Sequence, residues 1–237
     1  MLFVGNSLTY VGNLPAVFSA LCDANGRHVR SDMIVRGGAT LSQRWTDGSV
    51  ATALHTHDYA VLVLQERGGD LVCAFGPESC AASRRAIVAL AGLAHARGVK
   101  VVLLGTYQSN PDVSAELVAK ESSAADEAGA VYAEVATTLP RVRAAAPELT
   151  WFAADGMHPG PALTLLDATA LYRAVFGSTP RPAALSVRAP IYASASGLTE
   201  ALRASDAPAP RPGTPAGTVY PSSTVRAIVA AVDAREH

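Results

Sequence analysis

Several features that mark nucleic-acid-binding proteins are scarce in this chain of 237 residues. Only 16% of the residues are charged, and 19 Lys and Arg against 20 Asp and Glu give a net charge of -1. Such a balance provides no basic surface that would attract phosphates. Aromatic residues, at 6%, are too few for the stacking platforms of single-strand binders. We therefore expect no nucleic-acid partner.

Long apolar runs are missing as well. The longest, residues 86–94, ends at His95, whereas a membrane-spanning helix needs about 18 apolar residues. We therefore expect no interaction with a membrane. No basic segment, apolar stretch and cleavage site precede the first apolar residues of the chain, so no secretory leader is visible. The expected location is the cytoplasm, or the periplasm or cell exterior if a leader has been removed.

Cysteine is also rare. Cys22, Cys73 and Cys80 form an odd set without a Cys-x-x-Cys motif, which favours reduced, partly buried thiols over a disulfide framework or a zinc site. A disulfide between Cys73 and Cys80 is the weaker alternative. His55 and His57 are close in sequence but lack the further ligands of a metal site. No Walker-type or G-x-G-x-x-G loop follows a predicted strand, and we expect neither a metal nor an organic cofactor.

Hydrophobic residues are plentiful, at 49%, and they recur in short β-branched segments separated by longer Ala-rich ones. The segments predicted as strands are residues 2–4, 29–35, 59–64, 99–104 and 130–135. The segments predicted as helices are residues 14–24, 78–97, 113–128 and 161–176. Because the strands are almost continuously apolar, the alternation indicates a parallel sheet covered by helices on both faces. The expected fold is a three-layer α/β/α sandwich around a five-stranded parallel sheet.

The composition changes after Gly177, where proline becomes frequent. We expect a main domain over residues 1–177 and a proline-rich extension over residues 178–237 that packs on the core. The extension contains two short helix candidates, residues 196–204 and 222–234.

Ligands of open parallel sheets bind outside the carboxyl ends of the strands, and Ser7 follows the first predicted strand. A serine in this place is often only the N-cap of the next helix. Asn13, with Pro15 in the first turn, is a better start for that helix. Ser7 is therefore a candidate nucleophile, with a plain turn serine as the alternative.

A serine hydroxyl needs a nearby base to act as a nucleophile, and His158 is the candidate. The segment Asp155-Gly156-Met157-His158 has a turn composition that brings its two end residues together. Asp155 can then bind one ring nitrogen and leave the other for Ser7. A polar turn before a helix is the simpler alternative for this segment taken alone.

Three motifs resemble those of the SGNH (GDSL-like) hydrolase superfamily. In order along the chain they are Gly-Asn-Ser-Leu, a glycine after the second strand and Asp-x-x-His. The match covers about residues 1–176, and the first block of the family normally reads Gly-Asp-Ser-Leu. The resemblance implies a flavodoxin-like three-layer sandwich and a triad of Ser7, Asp155 and His158. It also implies that the backbone N–H groups of Ser7 and Gly38 stabilise an oxyanion.

The third block of the family normally reads Gly-x-Asn-Asp, and its Asn side chain is a further oxyanion donor. This chain has Gln65 and Glu66 there. Gln65 carries the same amide on a stem one methylene longer and could take the role.

These residues favour a serine esterase that hydrolyses small acyl esters, including O-acetyl groups on carbohydrate, through an acyl-enzyme. An acyltransferase with the same triad and a non-catalytic carbohydrate-binding protein on this fold are the alternatives. Arg36, Arg67 and Tyr107 follow strands two, three and four and are candidates for contact with a polar or anionic substrate, although solvation at the surface also explains them. The sequence leaves the oligomeric state open.

Overall fold

The computed structural model describes residues 1–108 and 111–234. The strands are β1 (Leu2–Gly5), β2 (Asp32–Arg36), β3 (Val61–Leu64), β4 (Lys100–Leu104), β5 (Val131–Ala133), β6 (Leu185–Val187), β7 (Thr199–Ala204) and β8 (Thr218–Tyr220). The helices are α1 (Ser7–Tyr10), α2 (Leu14–Ala24), α3 (Leu41–Thr46), α4 (Ser49–Thr56), α5 (Pro77–His95), α6 (Ser114–Ala128), α7 (Thr138–Ala145), α8 (Pro161–Phe176) and α9 (Ser222–Asp233). Short 3₁₀ turns occupy Pro111–Val113 and Ser194–Ser196.

The central sheet has the strand order β5-β4-β3-β1-β2-β7. Strands β1 to β5 pair in parallel, which confirms the five predicted strands. The sheet nevertheless has six strands, because β7 pairs antiparallel with the outer edge of β2. The carboxyl ends of β1 to β5 therefore lie along one edge of the sheet, and the loops that follow them meet there.

Consecutive residues of the central strands face opposite layers of the sandwich. On β1, Phe3 packs into an apolar cluster with α2, α8 and α9. Its neighbours Leu2 and Val4 pack into a second cluster with α4, α5 and α6 on the other face. All three side chains are fully buried. This arrangement confirms the predicted α/β/α sandwich and explains why the strands are apolar throughout.

One of the two helix predictions after Gly177 is wrong. Residues 196–204 form the end of a 3₁₀ turn and strand β7 instead of a helix. The sequence Thr-Glu-Ala-Leu-Arg-Ala favours a helix by propensity, but β7 covers the open hydrogen-bonding edge of β2, and this tertiary pairing overrides local preference. The second prediction, residues 222–234, is confirmed by α9 (Ser222–Asp233).

The segment after Gly177 is tied to the rest of the chain by buried hydrogen bonds. The side-chain amide of Asn13 donates to the carbonyl groups of Pro190 and Ser205, at 2.7 and 2.9 Å. Val225 of α9 is fully buried against the core formed with α8. Residues 178–234 thus contribute to the same core, while a domain boundary at residue 177 stays a prediction.

The prediction of reduced thiols is wrong for two of the three cysteines. Cys73 and Cys80 form a disulfide between the loop after β3 and the first turn of α5. A turn through Gly76, with a φ of 95° that suits glycine, brings the two residues together. Cys22 is a buried free thiol, as expected, and burial raises its pKa to about 12.

Candidate active site

Ser7 is the first residue of α1, directly after β1. Asn6 caps this short helix, because its side-chain oxygen accepts a hydrogen bond from the Leu8 N–H at 3.0 Å. The following helix, α2, begins after Asn13, which caps it as predicted. The N–H groups of a first helical turn have no partner inside the helix, so the N–H of Ser7 is not used by α1. The Ser7 hydroxyl has no hydrogen-bond partner within the described parts of the chain.

Asp155 and His158 are brought together by the turn that precedes α8. The Asp155 carboxylate accepts hydrogen bonds from the backbone N–H groups of Met157 and His158, both at 2.9 Å. Its other oxygen lies 2.9 Å from Nδ1 of the His158 ring. Gly156, with a φ of 70°, supplies the left-handed residue that the turn requires. The local geometry that the sequence predicted for this pair is therefore present.

The same hydrogen bonds set the charge of Asp155. The backbone N–H groups of His158 and Met157 lower the pKa of the Asp155 carboxyl, and the Ser194 hydroxyl and the His158 ring add to the effect. The carboxylate therefore stays ionised across the neutral range and holds the imidazole through Nδ1. Nε2 is then the ring nitrogen that remains available as a base.

No hydrogen bond joins Ser7 to His158 among the residues that the structure describes. The loop after β1 does contact the segment before β7, and this segment carries Ser194, which contributes to the low pKa of Asp155. Val11 forms a parallel β-bridge with Tyr192, and the Gly12 N–H donates to the Tyr192 carbonyl at 2.9 Å. Catalytic hydrogen bonds are often long without a ligand, and a direct contact between Ser7 and His158 stays a prediction.

The two predicted oxyanion donors after β2 and β3 both carry an unused N–H. Gly38 has a φ of 66°, in a turn closed by a hydrogen bond from the Ala39 N–H to the Arg36 carbonyl at 3.1 Å. The Gly38 N–H has no partner among residues 1–108 and 111–234. The Gln65 side chain is 1% exposed and its oxygen accepts from the Thr9 hydroxyl at 2.7 Å. Its Nε2 is buried and has no partner in the same residues.

Arg67 is already engaged by a buried carboxylate. Its guanidinium donates two hydrogen bonds of 2.8 Å to Asp70, which is fully buried. It also lies over the ring of Phe75, 4.3 Å from the ring centre. Phe75 itself is 58% exposed. The charge of Arg67 is thus largely matched within the loop after β3, and its predicted contact with a substrate stays a prediction.

Arg36 and Tyr107, the other two predicted substrate residues, also have partners in the protein. Arg36 donates to the side-chain oxygen of Gln43 at 2.7 Å. Tyr107 is 7% exposed, and its hydroxyl donates to the carbonyl of Met157 at 3.0 Å. Tyr107 therefore supports the turn that carries His158. A role of either residue in binding a substrate stays a prediction.

A cavity of about 370 Å³ opens beside this turn. Its walls include Gln108, Leu139, Arg143 and Phe152. Phe152 forms an antiparallel bridge with Pro159, the residue after His158 in the chain. A group bound in this cavity would therefore lie next to the segment that holds the candidate base. Its volume falls in the range of small-molecule sites.

Two negative observations concern the described residues only. Within them, no group of three or more His, Cys, Asp or Glu side chains is arranged to hold a metal ion. Nor does any helix there combine the length and apolar character needed to cross a membrane.

Three residues near the candidate site were not given a role by sequence reasoning. Asn6 joins α1 to the end of β3, because its side-chain amide donates to the Gln65 carbonyl at 3.4 Å. Thr9 binds the Gln65 side chain, and Ser194 contributes to the low pKa of Asp155. Asn6 and Thr9 lie within the motif that contains Ser7, which is the available signal. Ser194 lies far away in sequence and carries no motif.

Several solved structures share this fold. A proposed SGNH hydrolase from Slackia heliotrinireducens is 24% identical, with a TM-score of 0.53 and coverage of 73% of this chain and 97% of that one. A DUF4886 family protein from Bacteroides uniformis is 14% identical, with a TM-score of 0.60 and coverage of 74% and 82%. The acetylxylan esterase Axe2 from Geobacillus stearothermophilus is 14% identical, with a TM-score of 0.58 and coverage of 74% and 93%.

The similarity confirms the fold that the resemblance to SGNH (GDSL-like) hydrolases implies. It is a similarity of structure: no family model matches the sequence, and no curated protein matches it either.

Proposed function

We propose that the protein is a serine esterase that hydrolyses small acyl esters, with O-acetyl groups on carbohydrate among the candidate substrates. The observation that carries the proposal is the hydrogen bond between Asp155 and His158 Nδ1. It holds the imidazole through Nδ1 and leaves Nε2 available as a base. The fold similarity to an acetylxylan esterase supports the choice of acetyl esters for the first assays.

In the proposed reaction, the Ser7 hydroxyl attacks the ester carbonyl while its proton passes to Nε2 of His158. Asp155 stabilises the imidazolium that forms. The N–H groups of Ser7 and Gly38 and the side-chain amide of Gln65 donate to the oxyanion. The imidazolium then protonates the leaving alcohol, and an acyl group remains on Ser7.

The second half of the reaction releases the acid. His158 removes a proton from water, which attacks the acyl carbonyl. When the tetrahedral intermediate collapses, the bond from the acyl carbon to the Ser7 oxygen breaks, and the His158 imidazolium returns the proton to that oxygen. These steps use side chains of this protein and water, and none of them requires a metal or an organic cofactor.

The decisive experiment is labelling with a fluorophosphonate probe, followed by mass spectrometry to locate the adduct. We expect the adduct on Ser7, and Ser7→Ala should lose both labelling and hydrolysis of p-nitrophenyl acetate. Ser222→Ala is a matched control, because Ser222 is the exposed first residue of another helix, α9. Labelling that survives in Ser7→Ala would overturn the proposal.

The base is tested in the same assay. His158→Ala should remove nearly all turnover, whereas His55→Ala, which changes an exposed histidine on α4, should keep it. Ester cleavage that depends on an added alcohol acceptor would identify an acyltransferase. Binding of acetylated sugars without turnover or labelling would identify a non-catalytic carbohydrate-binding protein.

A further inference from the structure

The Gln65 side chain is held at one end only. Its oxygen accepts a hydrogen bond of 2.7 Å from the Thr9 hydroxyl. Its nitrogen is buried without a partner among the described residues. A buried donor that lacks a partner gives up its hydrogen bond to water and gains none in return, which is unfavourable. Such groups are rare in folded proteins and each calls for a physical explanation.

Thr9 is suited to fix the direction of this amide. It is 1% exposed and lies on α1, two residues after Ser7, so one short helix carries both side chains. The end of β3 is held against the same helix by the hydrogen bond from Asn6 to the Gln65 carbonyl. The position of the Thr9 hydroxyl relative to Ser7 is thus set by a single turn of backbone.

Gly5 makes room for the contact. A Cβ atom at Gly5 would overlap the Thr9 hydroxyl and would come within 3.1 Å of the Gln65 carbonyl oxygen. Any larger residue at position 5 would therefore push Thr9 away from the Gln65 side chain. The glycine of the first motif thus has a packing role besides its place before the nucleophile.

We propose that Thr9 is a positioning residue that keeps the Gln65 amide in the orientation needed for the oxyanion. By donating to Oε1, the Thr9 hydroxyl commits the oxygen and leaves Nε2 as the end that can donate to the substrate. The inference rests on the proposed function, in which Gln65 donates to the oxyanion. Without the hydroxyl, the amide is free to turn its oxygen toward the developing negative charge, which would repel it.

The experiment measures kcat and KM for p-nitrophenyl acetate in Thr9→Val, which removes the hydroxyl and nearly keeps the side-chain volume. We expect kcat to fall about 10- to 100-fold, which is less than the ~100- to 1,000-fold loss of an oxyanion donor itself. KM should change little, because the interaction acts mainly in the transition state. Thr9→Ser keeps a hydroxyl and should recover most of kcat.

Thr169→Val is the matched control. Thr169 is a fully buried threonine whose hydroxyl donates to the Leu165 carbonyl within α8, so this variant should lower stability without lowering kcat. Thr9→Ala removes the same hydroxyl without adding a methyl group and replaces Thr9→Val if the latter does not fold. Melting temperatures of all variants separate loss of fold from loss of rate.

A double-mutant cycle with Gln65→Ala distinguishes positioning from a merely structural role. If Thr9 acts through the Gln65 amide, Thr9→Val should have almost no further effect on kcat once Gln65 is alanine. Additive losses, or a native kcat in Thr9→Val, would overturn the inference while Ser7 labelling still supported an esterase. An absence of labelling and turnover in the native protein would overturn the proposed function, and the inference with it.

Discussion

Glu66 makes the stability of the protein depend on pH in a way that one substitution can test. Its side chain is 1% exposed. Its two oxygens accept from the Leu41 N–H at 3.2 and 3.1 Å, and one also accepts from the Arg67 N–H at 3.0 Å. Burial raises the pKa of the carboxyl to about 7, and the nearby Asp70 carboxylate adds to the effect. The contact with Leu41 anchors the start of α3, just after the turn that carries Gly38.

The sign and size of the effect follow from this pKa. Between pH 4.5 and about 7, the unfolded chain loses the Glu66 proton while the folded protein keeps it, so the folded state loses stability as the pH rises. The difference between the two pKa values corresponds to about 3 kcal/mol. The contribution is fully present below pH 4.5 and is lost above pH 7.

Glu66→Gln removes the titrating group while keeping one acceptor oxygen. The quantity to measure is the difference in free energy of unfolding between the native protein and Glu66→Gln. We expect this difference to fall by about 3 kcal/mol between pH 4 and pH 8. Urea denaturation at intervals of half a pH unit measures it. Glu148→Gln changes an exposed glutamate and is the control for charge alone. Surface substitutions typically change stability by about 0.5 kcal/mol or less. If the difference between native protein and variant changes by no more than this over the pH range, the reasoning is refuted.

Two further predictions concern Asp155 and the disulfide. Asp155→Asn should lower kcat by up to about 10,000-fold with little change in melting temperature, because the neutral amide no longer holds the imidazole in the tautomer that leaves Nε2 free to accept a proton. Steady-state kinetics measure the loss, and a loss below tenfold would contradict the triad. Cys73→Ser should lower the free energy of unfolding by about 2 to 3 kcal/mol, the loop entropy expected for a closed loop of this length. Chemical denaturation measures this loss, and adding a reductant to the native protein should reproduce it.

The central layers could be predicted because their signals are local and strong. The strand Val61–Leu64 is apolar at every position, as a strand buried on both faces requires. The start of α2 is encoded by Asn13 and the proline that follows it. Strand β7 could not be predicted in this way, because its residues favour a helix and only the unpaired edge of β2 selects a strand. That edge exists only after the rest of the sheet has formed.

In the candidate site, too, local contacts could be predicted from the sequence and contacts between distant residues could not. The contact between Asp155 and His158 spans three residues and follows from turn chemistry, so the sequence predicts it. The disulfide depends on the turn from Cys73 to Gly76, in which both residues have a positive φ, and counting cysteines does not reveal this turn. The contact between Thr9 and Gln65 joins residues 56 positions apart and depends on how β1 and β3 pair. Residues that orient others are therefore harder to predict than the residues that would react.

Two of the departures from the SGNH motifs that this chain resembles, Asn6 and Gln65, lie against each other in the fold, and this proximity gives each a physical reason. Asn6 stands where the family has Asp, and its side-chain nitrogen donates to the Gln65 carbonyl, which a carboxylate could not do. Gln65 stands where the family has Asn, and its longer stem adds a rotatable bond that must be ordered at an entropic cost. The hydrogen bond from Thr9 supplies a second point of attachment that offsets this freedom. The longer side chain of Gln65 is therefore restrained by two residues of the first motif, Asn6 through the backbone carbonyl and Thr9 through the side-chain oxygen.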